Sequence, residues 1–248
     1  MPVIERVRIT PVAFADPPLL DAVGVQQPYA LRVVIELETD AGLVGLGETY
    51  ADSAHLRRLG SAGRTLVGRD VFALNPMYAA VREALAGERG SDGHGLTGMI
   101  TTSSTVDRIF SPFQVAALDV QGQLIGRPVS DLLGGAVRER VRFSGYLFYK
   151  WAGHPGAEPD AWGAALTPGE IVAQAERMVV EYGFKTLKLK GGVMDPDAEI
   201  ASAARLGVQL DRDRLGALHE QYLRCGIRDR DDTGYRRSLE PGYAPRTW

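Results

Sequence analysis

The chain has 248 residues, of which 45% are hydrophobic and 24% are charged, a composition that is ordinary for a globular protein and excludes disordered and fibrous classes. Its formal net charge of -3 argues against nucleic acid or an anionic membrane surface as a partner. A single cysteine, with no signal peptide in the sequence, favours the cytoplasm as the location of the protein.

Strand-like segments open the chain. They read VIERVRITPV, YALRVVIELETD and GLVGLGETY and end near Tyr50. Between the last two lies Asp40-Ala41-Gly42, whose Asp and Gly accept the backbone angles of a hairpin turn. These segments predict a three-stranded antiparallel meander.

Residues 52–135 follow, and their apolar residues recur at the spacing of α-helices. NPMYAAVREALAG and SPFQVAALDVQGQLIG each open with a capping residue and a proline, which predicts helix starts at Asn75 and Ser111. The glycines and polar residues of 88–105 predict a loop. A small sheet followed by helices is an α+β arrangement, so we predict an α+β domain over residues 1–135.

Strand and helix patterns then alternate. Two segments are strand-like, VRFSGYLFY (141–149) and KTLKLKGG (185–192). The segment between them, TPGEIVAQAERMVVEYG, has a helical pattern that begins with a capping box and ends at a glycine. A second helical segment, DPDAEIASAARL, follows the second strand. This order predicts two βα units of an α/β, TIM-barrel-type domain over residues 136–205. We expect the remaining residues, 206–248, to pack back on the first domain.

Two lysines share one face of the second strand. Lys188 and Lys190 are two positions apart, and alternate strand residues point the same way. Barrels place catalytic groups at the carboxyl ends of their strands, and a neighbouring ammonium group lowers the pKa of a lysine, which can then accept a proton. The alternative is that both lysines are solubilising charges on an edge strand.

The whole layout resembles the enolase superfamily, in its mandelate racemase-like branch, and within it the glucarate dehydratase group. The likeness is carried by GLVGLGETY, AALDVQGQLIGRPVSDLLGG, SGYLFY, YGFKTLKLKGGV and GVQLDRDRLGALHEQYLRCGIRDRDD. It implies an α+β capping domain followed by a barrel, and dehydration of D-glucarate or a related sugar diacid by a carbon-oxygen lyase.

The resemblance also implies roles for single residues. Lys190 would abstract the proton next to a carboxylate, and Lys188 would contact that carboxylate. Tyr146 would touch the substrate, and Arg230 would bind the distal carboxylate, because a guanidinium meets a carboxylate through two hydrogen bonds. Without the resemblance, Tyr146 reads as a core aromatic and Arg230 as a solvated charge.

Two further contacts and a cofactor follow from the same likeness. Gln26 stands where relatives offer a histidine toward the substrate, and Thr105 in TTSST is the candidate for a substrate-contacting threonine. Relatives use Mg²⁺ to neutralise the enediolate intermediate, so Mg²⁺ is the expected cofactor, and homo-oligomers are common among them. The expected partner is a small sugar diacid.

The sequence departs from the family after Lys190. A complete barrel takes roughly 200 residues or more, and the residues that follow Lys190 are far too few for it. The segments expected to carry the Mg²⁺ ligands and the opposite-face base do not occur, which suggests an internal deletion with its join near residues 204–206. We interpret Asp195, Asp197 and Glu199 as helix N-terminal charges rather than metal ligands.

These observations leave two functions open. The first is a glucarate dehydratase-like protein that is inactive as this shortened chain. The second is a non-catalytic remnant that acts as a binding or oligomerisation module, because two βα units expose a strand edge that a full barrel would pair.

Overall fold

The computed structural model describes residues 1–21, 24–87 and 102–213, with the side chains of 102–104 and 208–213 left out. The chain divides into two compact units, the first formed by residues 1–15 and 29–140 and the second by residues 16–28 and the chain from 141 onward. No helix in the described part is long and apolar enough to cross a bilayer.

The secondary-structure elements alternate from a strand-rich start to βα units. In chain order they are β1 (Ile4–Ala15), β2 (Leu20–Asp21), β3 (Gly24–Val25), β4 (Tyr29–Thr39), β5 (Val44–Tyr50), α1 (Ser53–Leu66), α2 (Leu74–Ala84), α3 (Thr102–Ile125), α4 (Val129–Leu132), β6 (Gly145–Leu147), α5 (Pro168–Tyr182), β7 (Leu187–Leu189) and α6 (Pro196–Asp213).

The first unit is built on a three-stranded antiparallel sheet of order β1-β4-β5, which confirms the predicted meander. Gly42 lies in the β4–β5 turn with a φ of 72°, a left-handed conformation that glycine adopts without strain. The sequence did not predict the short β2–β3 ladder that is inserted between β1 and β4 and belongs to the second unit.

The core of the first unit lies between this sheet and helices α1, α2 and α3. Alternation along β4 directs every second side chain inward, so that Val33, Ile35 and Leu37 are fully buried. The helices contribute the other large buried side chains, among them Leu59, Leu66, Met77, Val81, Ile109, Phe110 and Phe113. The predicted α+β arrangement of this region is therefore confirmed.

Helix α3 packs directly against the backbone of β5. A Cβ on Gly45 would lie 2.0 Å from the carbonyl oxygen of Ala116, and one on Gly47 would lie 2.1 Å from that of Pro112. The same helix covers the open edge of β5, since Asp119 accepts a hydrogen bond from the Leu46 amide at 2.9 Å. The glycines of GLVGLGETY therefore permit a backbone-to-backbone approach.

The helix predicted at Asn75 is confirmed to within one residue, since α2 begins at Leu74, but its N-cap is Ala73 and not Asn75. The predicted start at Ser111 was wrong, because the Ser111-Pro112 pair lies inside α3, which begins at Thr102. A proline inside a helix removes one backbone hydrogen bond, a cost that the close packing of α3 on β5 offsets. The predicted loop over 88–105 gives way to helix at its last positions, and its earlier part lies outside the described residues.

The second unit contains two βα units joined by a parallel β6–β7 pair, as predicted. The capping box of α5 is present, with Thr167 accepting from the Glu170 amide and Glu170 from the Thr167 amide, and Gly183 ends the helix with a φ of 68°. The strand predicted over residues 141–149 is shorter in the structure, where only β6 (Gly145–Leu147) is a strand.

Helix α6 continues without a break through residues 204–206, where the sequence suggested a join. Leu206 on this helix is 3% exposed and packs in the core of the second unit. The other buried members of that core are Leu147, Tyr149, Ala165, Ile171, Ala175 and Leu187. The predicted packing of residues 206–248 on the first domain stays a prediction.

His55 is buried in the first unit at the start of α1. Its Nε2 lies 3.3 Å from the Thr49 hydroxyl, and its ring stacks on Tyr50 with the centroids 4.2 Å apart. Burial lowers the pKa of His55 to about 4, with Arg58 and Arg108 acting in the same direction and Asp52 opposing them. The imidazole is therefore neutral in the folded unit at neutral pH.

We expect Gly47→Ala to destabilise the first unit by about 1–3 kcal/mol, because its Cβ would overlap the backbone of α3. Urea unfolding followed by circular dichroism measures this change. Gly60→Ala is the matched control, since its Cβ has no neighbour closer than 3.9 Å and alanine favours a helix. Equal stabilities for the two variants would contradict the backbone contact.

We expect the folded protein to lose about 2 kcal/mol between pH 7 and pH 4.5 through His55 alone. The unfolded imidazole, with its pKa near 6.5, binds a proton in this window, whereas the folded one, with a pKa of about 4, does not. Stability is therefore kept above pH 6.5 and lost as the pH falls toward 4. In His55→Gln the stability should fall less over the same window, and an NMR titration midpoint near 6.5 for His55 would refute this expectation.

Candidate functional site

The parallel register of β6 and β7 places Tyr146 directly beside Lys188. The Lys188 Nζ lies 4.7 Å from the centroid of the Tyr146 ring, within the range of a cation–π contact. Tyr146 is 39% exposed and also contacts Phe148, with the two ring centroids 4.4 Å apart. Two of the predicted site residues therefore meet on one exposed face of the strand pair.

The opposite face of the pair holds it in place. Leu147 is fully buried and Leu187 is 5% exposed, so the two leucines anchor the strands in the core of the second unit. Lys190 follows the end of β7, and its amide donates to the Leu147 carbonyl oxygen at 2.9 Å. Its side chain is half-buried at the carboxyl end of the strand.

The loop after β7 is organised by one carboxylate. Glu199, in the first turn of α6, accepts backbone hydrogen bonds from Gly192 at 2.9 Å, Val193 at 2.7 Å and Met194 at 2.8 Å. Burial raises the pKa of Glu199, but these three amides outweigh it and hold the pKa below its ordinary value. Glu199 is therefore an anion bound by the loop as well as a helix N-terminal charge.

The loop after β6 is held by a buried ion pair. Lys150 is 4% exposed, and its Nζ lies 2.8 Å from one carboxylate oxygen of Asp160 and 2.5 Å from the Gly163 carbonyl oxygen. Burial raises the pKa of Asp160, but the hydrogen bond from Lys150 and the amides of Trp162 and Gly163 keep it below its ordinary value. This pair fixes residues 150–163 in one conformation.

Residues 16–28 belong to the same unit. The Leu20 amide donates to the Tyr149 carbonyl oxygen at 2.8 Å, and Leu19 bridges Lys150. Gln26 is half-buried, and its backbone N–H donates a hydrogen bond to the Leu19 carbonyl oxygen at 2.8 Å. This early segment therefore runs beside the chain that leaves β6, and the substrate contact of Gln26 stays a prediction.

The remaining predicted residues lie elsewhere. Thr105 is 8% exposed in α3 of the first unit, and its substrate contact stays a prediction. Arg230 lies outside the described residues. The sequence did not identify Lys150, because a single lysine after a strand looks like a surface charge. It also did not identify the loop contacts of Glu199, because no sequence pattern encodes hydrogen bonds to loop amides.

The described residues do not fit a magnesium ion. Within residues 1–21, 24–87 and 102–213 no three His, Cys, Asp or Glu side chains come together in a way that could hold a metal. Mg²⁺ requires oxygen ligands anchored by carboxylates, and both carboxylate oxygens of Glu199 already accept hydrogen bonds from backbone amides of the loop after β7.

Two curated relatives of the chain have names that identify them as dehydratases. A curated relative from Streptomyces coelicolor named "Probable glucarate dehydratase" is 44% identical over 210 residues, which cover 82% of this chain and 49% of the relative. D-galactonate dehydratase from Variovorax paradoxus is 27% identical over 71% of this chain and 41% of its own length. No family model matches the chain.

Solved structures agree with this relationship. An enolase from Mycobacterium smegmatis, complexed with tartrate, is 62% identical and superposes with a TM-score of 0.79, covering 85% of this chain and 49% of its own. An enolase from Thermobispora bispora, complexed with magnesium and formate, is 53% identical with a TM-score of 0.81 over 84% of this chain and 49% of its own. The chain thus spans about half the length of the relatives that it matches.

The sequence identity and the shared fold indicate the same family as the strand pair that places Lys188 beside Tyr146. The antiparallel sheet with its helices matches the capping domain of these structures, and the described part of the second unit adds the parallel β6–β7 pair. The chain belongs to the enolase superfamily, in its mandelate racemase-like branch, and is similar to the glucarate dehydratases.

Proposed function

We propose that this chain is a glucarate dehydratase-like protein that binds a sugar diacid at the β6–β7 edge and does not complete the dehydration as the present chain. The observation that carries this proposal is the meeting of Lys188 and Tyr146 on one exposed face, with Lys190 directly after the end of β7. The relative named "Probable glucarate dehydratase", which is 44% identical to this chain, supports carbon-oxygen lyase chemistry as the ancestral reaction class.

The binding role is assigned to Lys188. Its ammonium group is exposed and is held over the Tyr146 ring, which leaves its remaining N–H donors free to meet a carboxylate. The hydroxyl of half-exposed Tyr146 can donate a hydrogen bond to a substrate oxygen. The tartrate bound by the Mycobacterium smegmatis relative is a hydroxylated diacid of the same chemical class.

The proton-abstracting role is assigned to Lys190. Its amine would take the proton from the carbon next to the carboxylate that Lys188 contacts. That proton is very weakly acidic, and its removal requires strong stabilisation of the enediolate charge. The described residues supply the Lys188 ammonium for this purpose but no group of metal ligands, which supports binding without turnover.

We expect Lys188→Ala to weaken the binding of D-glucarate about tenfold, because the substitution removes a charge-assisted hydrogen bond to a carboxylate. Isothermal titration calorimetry measures the change. Lys185→Ala is the matched control, since Lys185 is an exposed lysine on the same approach to β7 and should leave the affinity unchanged.

Turnover is measured in parallel by mass spectrometry of D-glucarate incubated with the purified chain and Mg²⁺. We expect no dehydrated product and no uptake of solvent deuterium. A product that disappears in Lys190→Ala would show an active lyase instead, and absence of any D-glucarate binding would refute the proposed site.

A second function, an oligomerisation module, is favoured by one observation. Within the described residues β6 pairs only with β7, so each strand leaves one edge unpaired, and Val141, Phe143 and Val180 are between 66% and 83% exposed. Sedimentation velocity distinguishes the two functions: a stable oligomer that does not bind D-glucarate supports the module, whereas a monomer that binds D-glucarate supports the dehydratase-like protein.

A further inference from the structure

Lys190 is held on both sides by backbone contacts. Its own amide donates to the Leu147 carbonyl oxygen on β6, which fixes the position where the strand ends. From two residues later, the backbone amides of Gly192, Val193 and Met194 all donate hydrogen bonds to Glu199. The backbone that carries the Lys190 side chain therefore has little freedom on either side.

The two glycines after Lys190 are required by the same carboxylate. A Cβ on Gly191 would lie 3.0 Å from the Glu199 Oε2, so the carboxylate sits against the α-carbon of Gly191. Gly192 has a φ of 81°, which turns its amide and the next two toward Glu199. The Lys-Gly-Gly sequence thus forms a binding site for the Glu199 carboxylate, which comes from the following helix.

We propose that Glu199 is a positioning residue for Lys190: by binding the loop amides it fixes where the Lys190 amine lies at the end of β7. This inference rests on the proposed function for the identity of Lys190 as the base, but the position of the amine can be measured without substrate. Glu199 acts through the backbone and takes no part in the proton transfer.

A carboxylate is required for this task. Three N–H donors converge on it at 2.7–2.9 Å, with two on Oε1 and one on Oε2. Glutamine at this position keeps the size of the side chain but turns one oxygen into an NH₂ group, which cannot accept a hydrogen bond. At least one loop amide would then lose its partner, which costs more than an ordinary hydrogen bond because the lost acceptor is charged.

The experiment compares Glu199→Gln with Asp197→Asn, which removes one negative charge from the same turn of α6 without touching the loop. Amide hydrogen exchange is measured at Gly192, Val193 and Met194. The profile of acetic anhydride labelling against time, at one fixed pH, is measured at half-buried Lys190, with exposed Lys185 as the internal reference. We expect Glu199→Gln to speed exchange of these amides about tenfold or more and to move the Lys190 profile toward the faster one of Lys185.

Asp197→Asn should leave both measurements unchanged. Gly191→Ala provides a second variant that keeps the charge of Glu199 but displaces its carboxylate, and it should shift the Lys190 profile in the same direction. An unchanged Lys190 profile in both Glu199→Gln and Gly191→Ala would overturn the inference. Failure of the wild-type chain to bind D-glucarate would refute the proposed function alone, because the labelling does not depend on substrate.

Discussion

The candidate site depends on the register between β6 and β7. Side chains alternate between the two faces of a strand, so a shift of one residue would bury Lys188 and expose the leucines beside it. The burial of Leu147 and Leu187 opposes that shift, since each leucine loses on the order of 2 kcal/mol of hydrophobic stabilisation when it is exposed. Two apolar side chains therefore determine which face carries the Tyr146–Lys188 contact.

The loops that leave these two strands are stabilised in similar ways. After β6, Asp160 accepts from buried Lys150 and from two amides of its own loop. After β7, Glu199 accepts from three amides of the loop in front of it. In each case a carboxylate with a lowered pKa collects backbone N–H groups. Loops that present functional groups need such support, because they have few apolar contacts to hold them.

Local signals were predicted well from the sequence because their chemistry is confined to a few residues. The capping box of Thr167 and Glu170, the terminal Gly183 and the turn at Gly42 are all examples, and the structure confirms each of them. The exposure of Lys188 opposite the buried Leu187 follows from strand alternation in the same way, whereas the shared face of Lys188 and Lys190 stays a prediction because β7 ends at Leu189. The α+β sheet and the parallel pair follow from the order of such signals.

The features that the sequence could not supply all involve partners that are distant along the chain. Ser111-Pro112 has the form of a helix start, yet the packing of α3 on the glycines of β5 extends the helix through it. The placement of residues 16–28 in the second unit rests on backbone hydrogen bonds to Tyr149 and Trp151. Lys150 looks solvated until its burial beside Asp160 is known. Such long-range contacts override local propensity and have no short motif.

The chemistry of the site follows from which charges the described residues bring to it. Proton abstraction next to a carboxylate needs a base and also a positive group that neutralises the enediolate. In the proposed site the strand pair provides amines for both tasks, but a single exposed ammonium group is screened by water and stabilises a developing anion weakly. The carboxylate of Glu199 is an anion held by backbone amides and is directed at the loop rather than at a cation. The proposal of binding without turnover rests on this distribution of charge among the described residues.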